Sequence, residues 1–242
     1  QQLFADFGDL LVRRFKEREE SVKLDVFAAY RALLRHASIL NSTEKSDSLP
    51  HSAETMSMET TPSLPGSPRL FRLPSLENRS SRIVSAIKRE LGSRSVKTRV
   101  SAMSLLRELV VNLPSSLAFV VVEVMPGLYR GLADSSAQMK TETLLVLRGV
   151  IEHGGVATLR NYASDLIPRV LETADDKYYK ITAESLRLCT SMLAAFGTDS
   201  GAGGTDIVAP MAASVHDVAL RRLTAHDQDS KVKEAALECI GT

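Results

Sequence analysis

The triplet Asp6-Phe7-Gly8 is the first stretch whose residue types could do chemistry. In a protein kinase an Asp in this setting holds magnesium against nucleotide phosphates. That chemistry also needs a Gly-rich loop, a His-Arg-Asp and an Ala-Pro-Glu, and the sequence has none of them. Glycines at 201, 203 and 204 suggest a phosphate cradle, but no Gly-Lys-Ser/Thr ending accompanies them and no strand is expected before them. The histidines, His36, His51, His153, His216 and His226, lack zinc-ligand spacing. Cys189 and Cys239 each sit in a helix-like apolar pattern, so both read as small buried residues rather than nucleophiles. With no acid, base, nucleophile and metal set in view, the expectation is no catalysis, no metal and no cofactor.

A basic helix is the other chemical possibility. Residues 94–114, RSVKTRVSAMSLLRELVVNLP, could lay Lys97 on a phosphate backbone. However, 30 basic and 29 acidic side chains nearly cancel, which speaks against a nucleic-acid or membrane-surface partner. No apolar run is long enough to span a bilayer. The chain begins QQLF, and it reads as a piece of a longer protein of a reducing compartment.

What positions Lys97 is a repeat. ESVKLDVFAAY (20–30), RSVKTRVSAMS (94–104), AQMKTETLLVL (137–147), KYYKITAESLR (177–187) and SKVKEAALECI (230–240) align on Lys23, Lys97, Lys140, Lys180 and Lys233. The lysines are 74, 43, 40 and 53 residues apart. Two insertions account for the long intervals. Residues 41–75 hold five of the nine prolines and little hydrophobic periodicity, and residues 197–205 hold four of the 13 glycines. The underlying period is then about 40, that of HEAT or armadillo helix pairs. The fold class expected is all-α: a HEAT-repeat, armadillo-like superhelical solenoid of about five antiparallel helix pairs.

First helices (A) are expected at 3–15, 76–91, 117–132, 161–173 and 208–225, with Pro126 and Pro168 inside them. The Lys-started segments form the second helices (B). In the fourth, Tyr179, Ala183, Leu186, Thr190 and Leu193 mark an apolar face, with Lys180, Glu184, Arg187 and Ser191 on another. Asp134 and Asp227, in the loops before B helices, should cap free N–H groups and reach a Lys of their own or the next unit. Lys97 is thus expected to be a rung of an Asp–Lys ladder. Glu142, Arg148 and Glu184 are expected on a concave surface. The organisation is one HEAT unit at 1–40, a disordered Ser/Thr/Pro-rich insertion at 41–75, and HEAT units over 76–242 with a flexible Gly-rich loop at 197–205.

Four stretches go beyond generic repeat chemistry: RFKEREESVKLDVFAAYRALLR (14–35), SVKTRVSAMSLLRELVVNLP (95–114), YYKITAESLRLC (178–189) and DQDSKVKEAALECIG (227–241). They resemble, in order and spacing, the middle of the cullin-associated, neddylation-dissociated family, most nearly its plant and green-algal members. The resemblance implies a non-enzymatic solenoid of the cytoplasm and nucleus that wraps unneddylated cullin and its RING subunit. Such a protein competes with the adaptor and substrate receptor and so promotes receptor exchange. It implies no nucleic acid, no membrane and no cofactor. On repeat physics alone, a nuclear-transport receptor or a phosphatase scaffold stays open as the alternative. Lys180, Glu184 and Arg187 are the candidate concave-face contacts.

Overall fold

A computed structural model describes residues 2–46, 80–197, 205–226 and 229–241. Among them are eleven α-helices, one 3₁₀ turn at Pro114–Ser116 and no strand. The helices are α1 (Gln2–Arg14), α2 (Glu20–Ser46), α3 (Ser80–Glu90), α4 (Val96–Asn112), α5 (Leu117–Leu132) and α6 (Ala137–Glu152). They continue with α7 (Val156–Arg160), α8 (Ala163–Ala174), α9 (Tyr179–Gly197), α10 (Thr205–Thr224) and α11 (Ser230–Ile240). The A helices α1, α3, α5, α8 and α10 form one row and the B helices α2, α4, α6, α9 and α11 the other. Five antiparallel pairs stack as expected, with the short α7 leading into α8.

Sequence-local chemistry sets the helix starts. The Ser95 and Ser136 hydroxyls accept from the N–H groups of Thr98 and Met139, and the Asp229 carboxylate accepts from Lys231 N. Each satisfies a donor that the first helical turn leaves unpaired. Pro126, Pro168 and Pro210 all lie inside A helices. Such a proline removes one ladder hydrogen bond, and packing must offset about 3 kcal/mol. The chain turns out of α6 through Gly154, whose φ of +93° a side chain rarely adopts.

Two expected boundaries move. The helix α2 runs on to Ser46, six residues into the segment 41–75 read as disordered. Nothing between Arg31 and Leu49 is Gly or Pro, so the helix meets no breaker there. The remainder, 47–75, lies outside the described residues. At the second insertion Gly197 and Thr205 are helical ends, and 198–204 lie outside the described residues.

One continuous core threads the stack from Val12 to Cys239. The first pair closes on an edge-on aromatic cluster, with Phe15 5.2 Å from Phe27 and 5.3 Å from Tyr30. In α9 the buried face is wider than the apolar stripe read from sequence. Ala183 and Leu186 are buried as expected, but so are Ile181, Ser185, Leu188, Cys189, Met192 and Phe196, while Tyr179, Thr190 and Leu193 are only partly covered. An inner helix of a solenoid has neighbours on three sides, so a single-stripe pattern underestimates its burial. Cys189 and Cys239 are free and buried, and burial pushes both thiols up.

Candidate partner-binding surface

Neighbouring B helices pack against one another more closely than neighbouring A helices do, so the stack curves with the B row inside. That inner row is the extended surface such a fold offers to a partner. Its register is visible in the first turn of each B helix. The amide of Lys23 donates to Glu19 O, Arg99 to Ser95 O, Lys140 to Ser136 O, Thr182 to Tyr178 O and Lys233 to Asp229 O. These five residues are structurally equivalent.

Two of the lysines aligned by sequence are therefore displaced. The residue of α4 equivalent to Lys23 and Lys140 is Arg99, not Lys97, and in α9 it is Thr182, not Lys180. Lys97 is exposed and makes no ion pair among the described residues. The rung expected of it belongs to Arg99, whose guanidinium holds both Asp134 oxygens at 2.9 and 3.0 Å. Aligning on the cap Ser95 with Ser136, rather than on the lysines, would have shown this.

The ladder itself is real. Lys140 Nζ donates to Asp176 at 2.7 Å, and Lys23 Nζ to the buried Glu90 at 2.9 Å. Asp134 also accepts from Ser136 N and Asp176 from Tyr178 N, so each acid both leads into its own B helix and takes a cation from the preceding unit, not from its own or the next one as expected. In the second unit Ser93 holds that place, its hydroxyl accepting from Ser95 N, and Glu90 supplies the acid instead. Asp227 lies outside the described residues.

A second line of pairs crosses the middle of the B helices. Arg35 reaches Glu108, Arg107 reaches Glu142 at 3.3 Å, and Arg148 reaches Glu184 at 3.0 Å. The cation precedes its acid by 35 residues in Arg99–Asp134 and by 36 in both Lys140–Asp176 and Arg148–Glu184. From the second unit onward the pairs are inter-unit clips at an offset of 35 or 36, whereas Arg35–Glu108, which spans the long insertion, is 73 residues apart.

The three sequence-predicted contacts share the exposed ridge of α9 but differ in character. Lys180 is exposed, with Nζ 5.8 Å from the Tyr179 ring centroid. Glu184 is held by Arg148 and, at 2.7 Å, by Arg187. Of the three, Lys180 is the cation without a carboxylate partner among the described residues. Sequence reasoning missed Arg35, Arg99 and Arg107, which the folded stack brings against acids of the next unit.

Burial would push the Asp176 carboxyl up, yet the hydrogen bonds from Lys140 and Tyr178 N, with the charges of Lys140 and Lys177, hold it below its ordinary 3.8. A lowered folded-state pKa gives stability that is present above the unfolded value and lost as pH falls through the folded one. Acid titration of stability from about pH 5 downward should therefore show a smaller loss in Asp176→Asn than in the wild type, read by urea denaturation at each pH.

The notable hollow is an open apolar trough of about 490 Å³ beside α1 and α2, lined by Phe7, Ala29, Ala32, Leu33 and His36. Asp6-Phe7-Gly8 lies within helix α1, not in a loop that could present a metal ligand. Among the described residues no group of His, Cys, Asp and Glu could hold a metal, and no single helix is long and apolar enough to cross a membrane.

Stacked helix pairs joined by ion pairs between neighbouring units define a HEAT/armadillo-type repeat scaffold. The fold is shared with an engineered protein (TM-score 0.54, 12% identity, 97% of this chain and 95% of that one) and with a designed armadillo repeat protein (TM-score 0.53, 9% identity, 96% and 98%). Residues 115–240 match the family model described as "CAND1-like, TPR repeats", and the chain belongs to that family. Its unit length of about 40 is nearer HEAT and armadillo units than the roughly 34 of TPR units. It is 36% identical over 233 residues to Cullin-associated NEDD8-dissociated protein 1 of Arabidopsis thaliana, and 31% identical over 233 residues to Cullin-associated NEDD8-dissociated protein 2 of Mus musculus. Each alignment covers 96% of this chain, which spans only 17% and 18% of those relatives.

Proposed function

We propose that this chain is a non-catalytic segment of a cullin-binding regulator, a stretch of solenoid that helps wrap unneddylated cullin and its RING subunit. In competing with the adaptor and substrate receptor, the whole protein promotes receptor exchange, and it works in the cytoplasm and nucleus. The observation that carries this reading is similarity along 96% of the chain to a relative named for cullin association. The inner B row is compatible with it: a long polar wall whose charges are mostly engaged with one another, suited to many weak contacts. Affinity on such a surface comes from area, and this segment supplies a minor share of it.

The contribution assigned to Lys180, Glu184 and Arg187 is correspondingly thin, about 0–1 kcal/mol for each partly exposed charge. In the full-length protein, Lys180→Glu, Glu184→Lys and Arg187→Glu together should weaken binding to an unmodified cullin–RING complex clearly, and each alone only modestly. Calorimetric titration measures this, with circular dichroism to verify that the helices persist. Unchanged affinity in a folded triple variant removes these residues from the interface. Equally tight binding to NEDD8-conjugated cullin overturns the functional reading itself.

A further inference from the structure

Arg99, Lys140 and Thr182 close the first turns of α4, α6 and α9, so places counted back from them are equivalent from unit to unit. Two and five places back, the second unit carries Lys97 and Arg94, and the fourth carries Lys180 and Lys177. All four are exposed, and none makes an ion pair among the described residues. The third unit has the uncharged Ser135 and Gln138 at these places. In the first unit Arg18 stands between Glu17 and Glu19, so the row of unanswered cations begins after it.

The carboxylates of this loop edge are already engaged. Glu20, close enough to feel the charge of Lys97, accepts from the Thr98 hydroxyl at 2.9 Å. Asp134 is held by Arg99, Asp176 by Lys140, and Asp175 by Arg221 and Arg222. Positive charge is thus left over in two clusters with a neutral gap between them. Each cluster has an exposed apolar side chain among its cations, Val96 in one and Tyr178 in the other, both 41% exposed. A cation pair beside an apolar side chain is complementary to carboxylates flanked by an apolar residue.

We propose that the loop edge of the second to fourth units docks an extended acidic segment of a partner protein. Its carboxylates fall in two clusters, one against Arg94 and Lys97, the other against Lys177 and Lys180. An apolar residue of each cluster lies on Val96 or Tyr178. The stack sets the spacing: packed helices stand about 8–10 Å apart, so two steps along the B row cover about 16–20 Å. An extended chain advances about 3.3 Å per residue, which puts the clusters about five or six residues apart. Between them the segment passes Ser135 and Gln138, whose side chains can hydrogen-bond to its backbone. A nucleic acid fits less well, because it carries charge at every phosphate while the row is neutral at its centre. Docking here does not depend on cullin binding, and Lys180, Glu184 and Arg187 stay unchanged in the variants that test it.

Fluorescence anisotropy of the labelled peptide DELGSGDEL with the full-length protein is the test. Arg94→Glu, Lys97→Glu and Lys177→Glu together should weaken its binding about tenfold, the sum expected of three solvent-screened charges. The isomer DEDELLGSG, with its acids in one block, should bind the wild type several-fold more weakly, and raising salt from about 0.05 to about 0.5 M should release both peptides. The triple variant should in turn gain affinity for the basic peptide KRLGSGKRL, a gain that a misfolded chain would not show. The proposal is overturned if the triple variant binds DELGSGDEL as the wild type does, if the block isomer binds equally well, or if the variant gains nothing towards the basic peptide. Displacement of DELGSGDEL by an equimolar single-stranded RNA would assign the edge to nucleic acid and overturn it equally.

Discussion

Leu186→Ala should remove about 2–5 kcal/mol of stability, the range for truncating a buried leucine whose surroundings relax only partly. Leu186 is fully buried in α9, a helix packed against both neighbouring B helices. In the same helix Thr182 holds the first-turn place and bonds to Asp176 O of its own unit, while Arg221 and Arg222 of α10 join the fifth unit to Asp175 at 3.3 and 2.9 Å. Arg187→Ala, one residue along, should cost about 0–1 kcal/mol. Its side chain is 30% exposed and Glu184 keeps Arg148 as a partner. Urea denaturation of both variants measures the contrast, and equal losses would mean that α9 is rotated from the orientation described.

Gly131→Leu should cost about 1–3 kcal/mol or more, because overpacking forces neighbouring side chains off their rotamers. Gly131 lies in α5 where it crosses α6, and even a β-carbon there would collide with the Thr143 side chain and press on Met103. Thr143 is fully buried and its hydroxyl donates to Met139 O, so it has little room to retreat. The gain of up to roughly 1 kcal/mol that leucine has over glycine in helix propensity does not offset such a clash. Gly131→Ala should be better tolerated in a Thr143→Ala background than in the wild type, since the blocking atoms are then gone. Additive losses across that double-mutant cycle would show that the two positions do not touch.

Local periodicity and breakers made the fold largely readable. The helix read at 117–132 matches α5, and those read at 3–15 and 161–173 lie within two residues of α1 and α8 at either end. Helical periodicity depends on neighbours a few residues away, and a linear chain carries that information in full. The candidate surface was less legible. Glu142, Arg148 and Glu184 were recognised as surface charges, but their partners lie a whole unit away, and no local pattern names them.

The repeat itself, its length near 40, its helix-pair units and its family likeness were thus determined by the sequence alone, because each rests on local spacing. Tertiary structure decided the register. The capping Ser95 and Ser136, not the lysines, set the first turn of α4 and α6, and packing then chose Arg99 over Lys97 as the rung. Stacking also broadened the burial of α9 beyond its visible stripe. Those outcomes depend on which face meets the next unit, and that is settled only when the helices are side by side.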